Sequence, residues 1–272
     1  MRKGKRLLSR LVVCVYALFS VGPLLWIFLN SFKTGADITA YPPKFISFTP
    51  TLANWAEIFS SAEFLEPFRN SIIVTGGAVA LGLATGLPAA FVLARRKVPF
   101  GEDIAFTIMS FRFAPELFIV LPLLTIYQSL SLQNTYLGLI LAYQLITFPL
   151  IVWMARTFYA QVPRDIEEAI RIDGGREITI FLTTTRIALG GIAASAALAF
   201  IFAWNTYALP LVLSGRETEV VTSAILGYIK FGGQQWGQLS AAVIISILPG
   251  LIFCALMIGR MVEGLTAGAV KG

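Results

Sequence analysis

Long apolar runs separated by short polar stretches dominate this chain of 272 residues. A helix needs about 20 predominantly apolar residues to cross a bilayer core. Six segments reach that length, near 8–30, 70–94, 104–129, 136–158, 188–213 and 239–260. The pattern predicts an all-α integral membrane protein with six transmembrane helices. Composition agrees: 57% of residues are hydrophobic and 13% charged, against about 25% charged in soluble domains. Mean hydropathy is +0.77. The first apolar run follows MRKGKR, but no A-x-A cleavage site follows it, so it reads as a retained helix.

Charge then orients the spans. Fifteen Lys and Arg residues fall on one side of the six segments and five on the other, with Arg112 left inside a span. An excess of Lys and Arg marks the cytoplasmic side, which places both termini there. The two longer outer segments, 31–67 and 214–238, each carry tryptophan and suggest contact with an outside partner. Histidine is absent, and the two cysteines, Cys14 and Cys254, lie in apolar runs. That excludes His-based triads and metal sites and gives no disulfide framework.

Prolines recur within the spans, at Pro23, Pro88, Pro115, Pro122, Pro149, Pro210 and Pro249. Each favours a kink. Gly82 and Gly86 form a G-x-x-x-G pair, and GGIAASAA (190–197) gives span five a face of small residues. Both suit close helix packing. Polar residues at depth are the sharper signal. Arg112 and Glu116, four apart in span three, share one face of a continuous helix and can pair. A structural ion pair and a role in a solute pathway both fit. Gln144, Asn205 and Tyr207 add groups suited to an uncharged hydroxylated solute, although amides also join helices. No G-x-x-x-x-G-K-[ST] occurs, so the chain has no P-loop for ATP. Glu116 is the only carboxylate well inside a span, too few for a proton relay. Uphill transport would draw its energy from another subunit.

One internal loop on the Lys/Arg-rich side is unusual: DIEEAIRIDGG (165–175). Pro163 starts a short helix, acids in its first turns suit the macrodipole, and Gly174 and Gly175 stop it. Ile166, Ala169, Ile170 and Asp173 share one face. Arg164, Glu167, Glu168 and Arg171 share the other, with Glu167 and Arg171 in a favourable i, i+4 pair. Such a helix needs a surface to pack on. Its own membrane domain is one option, but the acidic start argues against anionic lipid and a groove on another protein fits better.

EEAIRIDGG resembles the EAA loop of ATP-binding cassette importer permeases, written E-A-A-x-x-D-G-A. The wider chain is similar to the carbohydrate importers, particularly the smaller permease of the maltose-type heterodimer. NSFKT (30–34), NWAEIF (54–59), NSIIVT (70–75), LARRKVPFG (93–101), LSLQNTYLGLIL (130–141), FAWNTYALPLVL (202–213) and GLTAGAVKG (264–272) have counterparts there in the same order. The resemblance implies a type I (MetI-like) importer fold in a bacterial inner membrane. It implies a second permease, two ATPase subunits carrying ATP and Mg, an extracytoplasmic solute-binding protein and a carbohydrate substrate. No cofactor, catalytic residue, metal or nucleic acid is expected on this chain.

By position, Glu167, Glu168, Ala169, Ile170, Asp173 and Gly174 match the coupling loop, with Glu168 meeting a basic residue of the ATPase and Gly174 allowing the turn. Gly233, Gln234, Gln235 and Trp236 fall where this family reaches the binding protein, and Arg112, Glu116, Gln144, Asn205 and Tyr207 are candidates for the solute path. The implied division is a first helix and outer loop (1–67), a type-1 transmembrane core (68–264) and a tail (265–272). Two departures stand out. The second alanine of EAA is Ile170, which adds bulk to the expected docking face, and the alanine after D-G is Gly175. TTTRIALGGI (183–192) also lacks the family's prolines before span five. A secondary transporter or channel, or a membrane scaffold, are the alternatives without an ATPase.

Overall fold

The structure is a computed structural model describing residues 2–229 and 235–267, with side chains for 10–229 and 235–256. The chain divides into two compact units, 1–65 with 224–248, and 66–223 with 249–272. Its helices are α1 (Arg2–Asn30), α2 (Gly35–Ile38), α3 (Ala53–Ser60), α4 (Ala62–Arg95), α5 (Gly101–Ser110), α6 (Glu116–Ser129) and α7 (Tyr136–Ala142). They continue with α8 (Gln144–Gln161), α9 (Arg164–Ile172), α10 (Glu177–Ile187), α11 (Leu189–Trp204), α12 (Ala208–Leu213), α13 (Val221–Ala224) and α14 (Trp236–Ala267). No strand occurs among the described residues.

Among the described residues, three helices are long and apolar enough to cross a membrane alone, within α1, α4 and α14. Three bent pairs reach that length only together, giving six crossing segments if each pair is one. The bends are 94° at α5–α6, 43° at α7–α8 and 76° at α10–α11. Spans three and four are therefore broken rather than continuous. The fifth expected span also changes: α11 ends at Trp204 and α12 begins after residues 205–207, packing on α6 and α7. The segment 177–187 before it is helical as well.

The sharpest break has a local cause. Ala114 precedes Pro115 and takes an extended backbone, φ −72° and ψ 131°, because the proline ring crowds a helical neighbour. A single 3₁₀ turn, Phe111–Phe113, ends α5 and Pro115 caps α6. Pro88, Pro122, Pro149 and Pro249 remain inside continuous helices.

In the smaller unit, Asn54 of NWAEIF donates its amide to the Ser31 and Lys33 carbonyls, each at 2.9 Å. The Lys33 ammonium lies 4.2 Å from the Trp26 ring centre and donates to Asn30 Oδ1 at 3.0 Å. These contacts bind NSFKT to α3. In the larger unit, Asn70 of NSIIVT donates to the Glu217 and Glu219 carbonyls at 3.0 and 2.9 Å. It accepts from Tyr136 Oη at 2.7 Å. Both motifs hold loops to helices.

The core of the larger unit is the packing of α4 and α11 on α8. A Cβ on Gly82 would lie 2.9 Å from Ile151 Cδ1, and one on Gly86 3.0 Å from Ile151 Cγ2. A Cβ on Gly191 would lie 2.0 Å from Phe158 Cγ. Glycine at these positions lets the Ile151 and Phe158 side chains of α8 seat directly on α4 and α11. Gly191→Ala forces the Phe158 ring to move. Overpacking of about 1–3 kcal/mol then outweighs the ~1 kcal/mol that alanine contributes in a helix. A lowered thermal midpoint in detergent is expected, recovered in Gly191→Ala/Phe158→Leu; an unchanged midpoint for the single variant contradicts this packing.

Candidate functional site

The segment 163–177 is the most structured polar feature of the larger unit. Helix α9 follows Pro163 and stops at Asp173. Gly174 then takes φ +77° with open space around it, so its role is conformational. Its N–H donates to the Arg171 carbonyl at 3.1 Å and that of Gly175 to the Ile170 carbonyl at 2.8 Å. This paired arrangement satisfies the last carbonyls of the helix.

The two faces of α9 differ from the expected pattern. Ile166 and Ile170 point inward, against a core that includes Phe91, Tyr159, Val162 and Ile180. Glu167, expected on the solvated face, is buried. Arg95 Nε, at the end of α4, hydrogen-bonds its Oε1, and Arg96 Nη1 reaches Oε2 at 2.9 Å. Arg95 Nη1 also donates to the Val162 carbonyl at 2.8 Å and to that of Tyr159 at 3.3 Å, at the end of α8. Arg96 continues to Glu177, which Arg171 Nη2 meets at 3.3 Å. Burial alone would raise the Glu167 carboxyl; the bonds from Arg96 and Arg95 outweigh it and hold the group below the usual carboxylate range. The expected Glu167–Arg171 pair survives only at 3.6 Å, as a minor member of this network.

The outward face of α9 is Asp165, Glu168, Ala169, Ile172 and Asp173, at 3 and 4 spacing and all exposed. Ile172 is 86% exposed. It was not among the sequence candidates, because the stripe through Ile166 and Ile170 accounted for the apolar face. Ile170 adds no bulk to the outward surface.

The departures at 170 and 175 are in contact. A Cβ on Gly175 would lie 2.4 Å from Ile170 Cγ2 and 2.8 Å from the Ile170 carbonyl oxygen. The branched side chain occupies the space that alanine at 175 would need.

Of the expected solute-path residues, Arg112 and Glu116 line one small cavity with Phe111, Ala114, Leu145 and Leu209. They form no ion pair, because the break at 111–115 removes the continuous helix that the i, i+4 spacing requires. The Arg112 guanidinium instead lies 4.8 Å from the Phe202 ring centre, and Glu116 Oε2 accepts from Thr206 Oγ1 at 2.9 Å. Asn205 and Tyr207, both exposed, flank Thr206 at the α11–α12 break. Gln144 turns away, donating to the Ala78 and Ile140 carbonyls at 3.0 Å each, and joins helices. Gln235 and Trp236 are exposed at the start of α14; Gly233 and Gln234 lie outside the described residues. No group of metal ligands occurs among the described residues.

The Ile170–Gly175 contact is directly testable. Gly175→Ala is expected to lower stability by about 1–3 kcal/mol, the usual effect of overpacking. Ile170→Ala/Gly175→Ala removes the side-chain part of the clash and leaves the carbonyl oxygen, so Gly175→Ala should cost less in an Ile170→Ala background than in the wild type. Thermal unfolding of the four variants in detergent measures the coupling; additive effects would contradict the contact.

Comparison with known proteins agrees with this architecture. Residues 86–263 match the family described as binding-protein-dependent transport system inner membrane component. A probable ABC transporter permease of Sinorhizobium fredii is 32% identical over 99% of this chain and 97% of that protein. The trehalose transport system permease of Mycobacterium tuberculosis is 32% identical over 96% and 95%. The sulfoquinovosyl glycerol transport permease of Agrobacterium fabrum is 31% identical over 99% and 94%. Among solved structures, a bacterial ABC transporter that imports alginate superposes with a TM-score of 0.79 at 18% identity, covering 95% of this chain and 96% of that one. An all-helical chain with up to six crossing segments and a short polar helix clamped beside its core thus belongs to the family of inner-membrane permease components of binding-protein-dependent ABC transport systems.

Proposed function

We propose that this chain is one of two permeases in an ATP-driven importer of carbohydrate, and that the outward face of α9 docks an ATPase subunit. The observation that carries the docking is the face itself. Glu168, Ala169, Ile172 and Asp173 project from a helix whose other side is fixed to its own domain. An acidic rim around one exposed isoleucine suits a protein groove with basic edges. The bias of Lys and Arg supports placing that face in the cytoplasm. ATP and Mg would be held by the ATPase subunits.

Carbohydrate as the substrate class rests on the relatives, whose names include trehalose, sulfoquinovosyl glycerol, diacetylchitobiose and maltose. The cavity between Arg112 and Glu116 supports a solute path here, with Asn205 and Tyr207 beside it. A guanidinium and a carboxylate held apart can each bind sugar hydroxyls, and the Phe202 ring keeps the guanidinium in place. A second permease would close the path from the other side. An extracytoplasmic binding protein would deliver the solute near Gln235 and Trp236.

Glu168→Arg and Ile172→Asp are each expected to lower ATP-driven uptake on the order of tenfold, the effect of ~1.4 kcal/mol of lost docking. Uptake is measured in proteoliposomes holding the assembled transporter at equal permease content. Wild-type uptake in both variants would sink the docking assignment.

A further inference from the structure

Beside the apolar packing of Ile166 and Ile170 on Phe91, Tyr159 and Ile180, two polar links of unequal exposure join helix α9 to its neighbours. The link to the ends of α4 and α8 runs through Arg95 and Glu167, whose side chains are 3% and 6% exposed. Arg95 holds three elements at once: the Glu167 carboxylate on α9, and the Tyr159 and Val162 carbonyls that end α8. The Tyr159 carbonyl also accepts from the Val162 N–H at 3.2 Å, so the guanidinium adds a second donor there and supplies one to the Val162 carbonyl just beyond the helix. Neither charge of the pair has water to replace its partner, so separating them leaves a buried ion uncompensated. The link to α10 is different. It runs through Glu177, 64% exposed, with Arg171 at 46% and Arg96 at 27%. Water competes there, and such pairs hold weakly.

We propose that Arg95 and Glu167 are a positioning pair that makes α9 and the ends of α4 and α8 one mechanical piece. A displacement of α9 by an ATPase subunit is then delivered to α4 and α8 through the buried pair, while the exposed polar link to α10 carries little of it. The stroke enters helices already in close contact, with the Ile151 side chain of α8 seated against Gly82 and Gly86 of α4. This inference rests on the docking of an ATPase on α9. Glu167, next to the docking residue Glu168, is turned inward while Glu168 is exposed: it transmits the stroke and does not touch the ATPase.

The test uses the complete transporter in proteoliposomes and reads three quantities: recruitment of ATPase subunits, stimulated ATP hydrolysis, and solute moved per ATP. Glu167→Gln removes the charge; Glu167→Asp keeps it and shortens the reach. Both are expected to recruit the ATPase and hydrolyse ATP, with solute moved per ATP lowered by about tenfold, within the ~5–150-fold range of coupling between sites. Glu177→Gln is expected to keep the wild-type ratio. A wild-type ratio in either Glu167 variant overturns the proposal, as does an equal loss in Glu177→Gln. Failure of both Glu167 variants to assemble also overturns it, because the pair is then a requirement for folding alone. The docking assignment fails separately: Glu168→Arg would then leave recruitment unchanged, whatever the Glu167 variants do.

Discussion

A buried carboxylate facing two arginines is the constraint on which this end of the molecule depends. Glu167 cannot ionise in an apolar core without Arg95 and Arg96, and Arg95 cannot be buried without an anion and free carbonyls to bind. Removing one partner of such a pair typically costs about 3–5 kcal/mol, because the other is left unpaired. The end of α4, the end of α8 and the start of α9 are therefore fixed relative to one another.

The two faces of α9 follow from that anchoring. With Glu167 turned inward, the 3.6-residue period carries Ile166 and Ile170 to the same side, onto Phe91, Tyr159 and Ile180. Asp165, Glu168, Ala169, Ile172 and Asp173 are left outward. The Gly174 turn then ends the helix and redirects the chain to α10. At the α5–α6, α7–α8 and α11–α12 breaks, polar side chains find partners on neighbouring elements. Gln144 caps carbonyls of α4 and α7, Thr206 holds Glu116, and Phe202 holds Arg112. The cavity between Arg112 and Glu116 exists because the helix at 111–115 is broken and the two charges are not drawn together.

Much of the fold was legible in the sequence because span length and small-residue patterns are local signals. The apolar runs locate the crossing segments, and Gly82, Gly86 and Gly191 mark the close contacts that the structure contains. The breaks were not legible. Of the many prolines in apolar runs, only Pro115 coincides with a sharp bend, and α7–α8 and α10–α11 bend without one. The DIEEAIRIDGG segment stood out in the sequence as a short polar helix, but its orientation did not. Its isoleucines lie on both sides, so an apolar stripe alone cannot tell the core from an exposed contact. The residues that decide the matter, Arg95 and Arg96, are 72 and 71 positions before Glu167. Their motif, LARRKVPFG, shows only a basic cluster until the fold brings it to α9.

The central claim is that α9 presents Glu168 and Ile172 to an ATPase and Ile166 and Ile170 to its own core. Single-cysteine crosslinking tests it most directly, with Cys14 and Cys254 first replaced by serine. Ala169→Cys and Ile172→Cys should crosslink to a co-assembled ATPase subunit, while Ile166→Cys and Ile170→Cys should not. Crosslinking from Ile166→Cys as strong as that from Ile172→Cys would contradict the account.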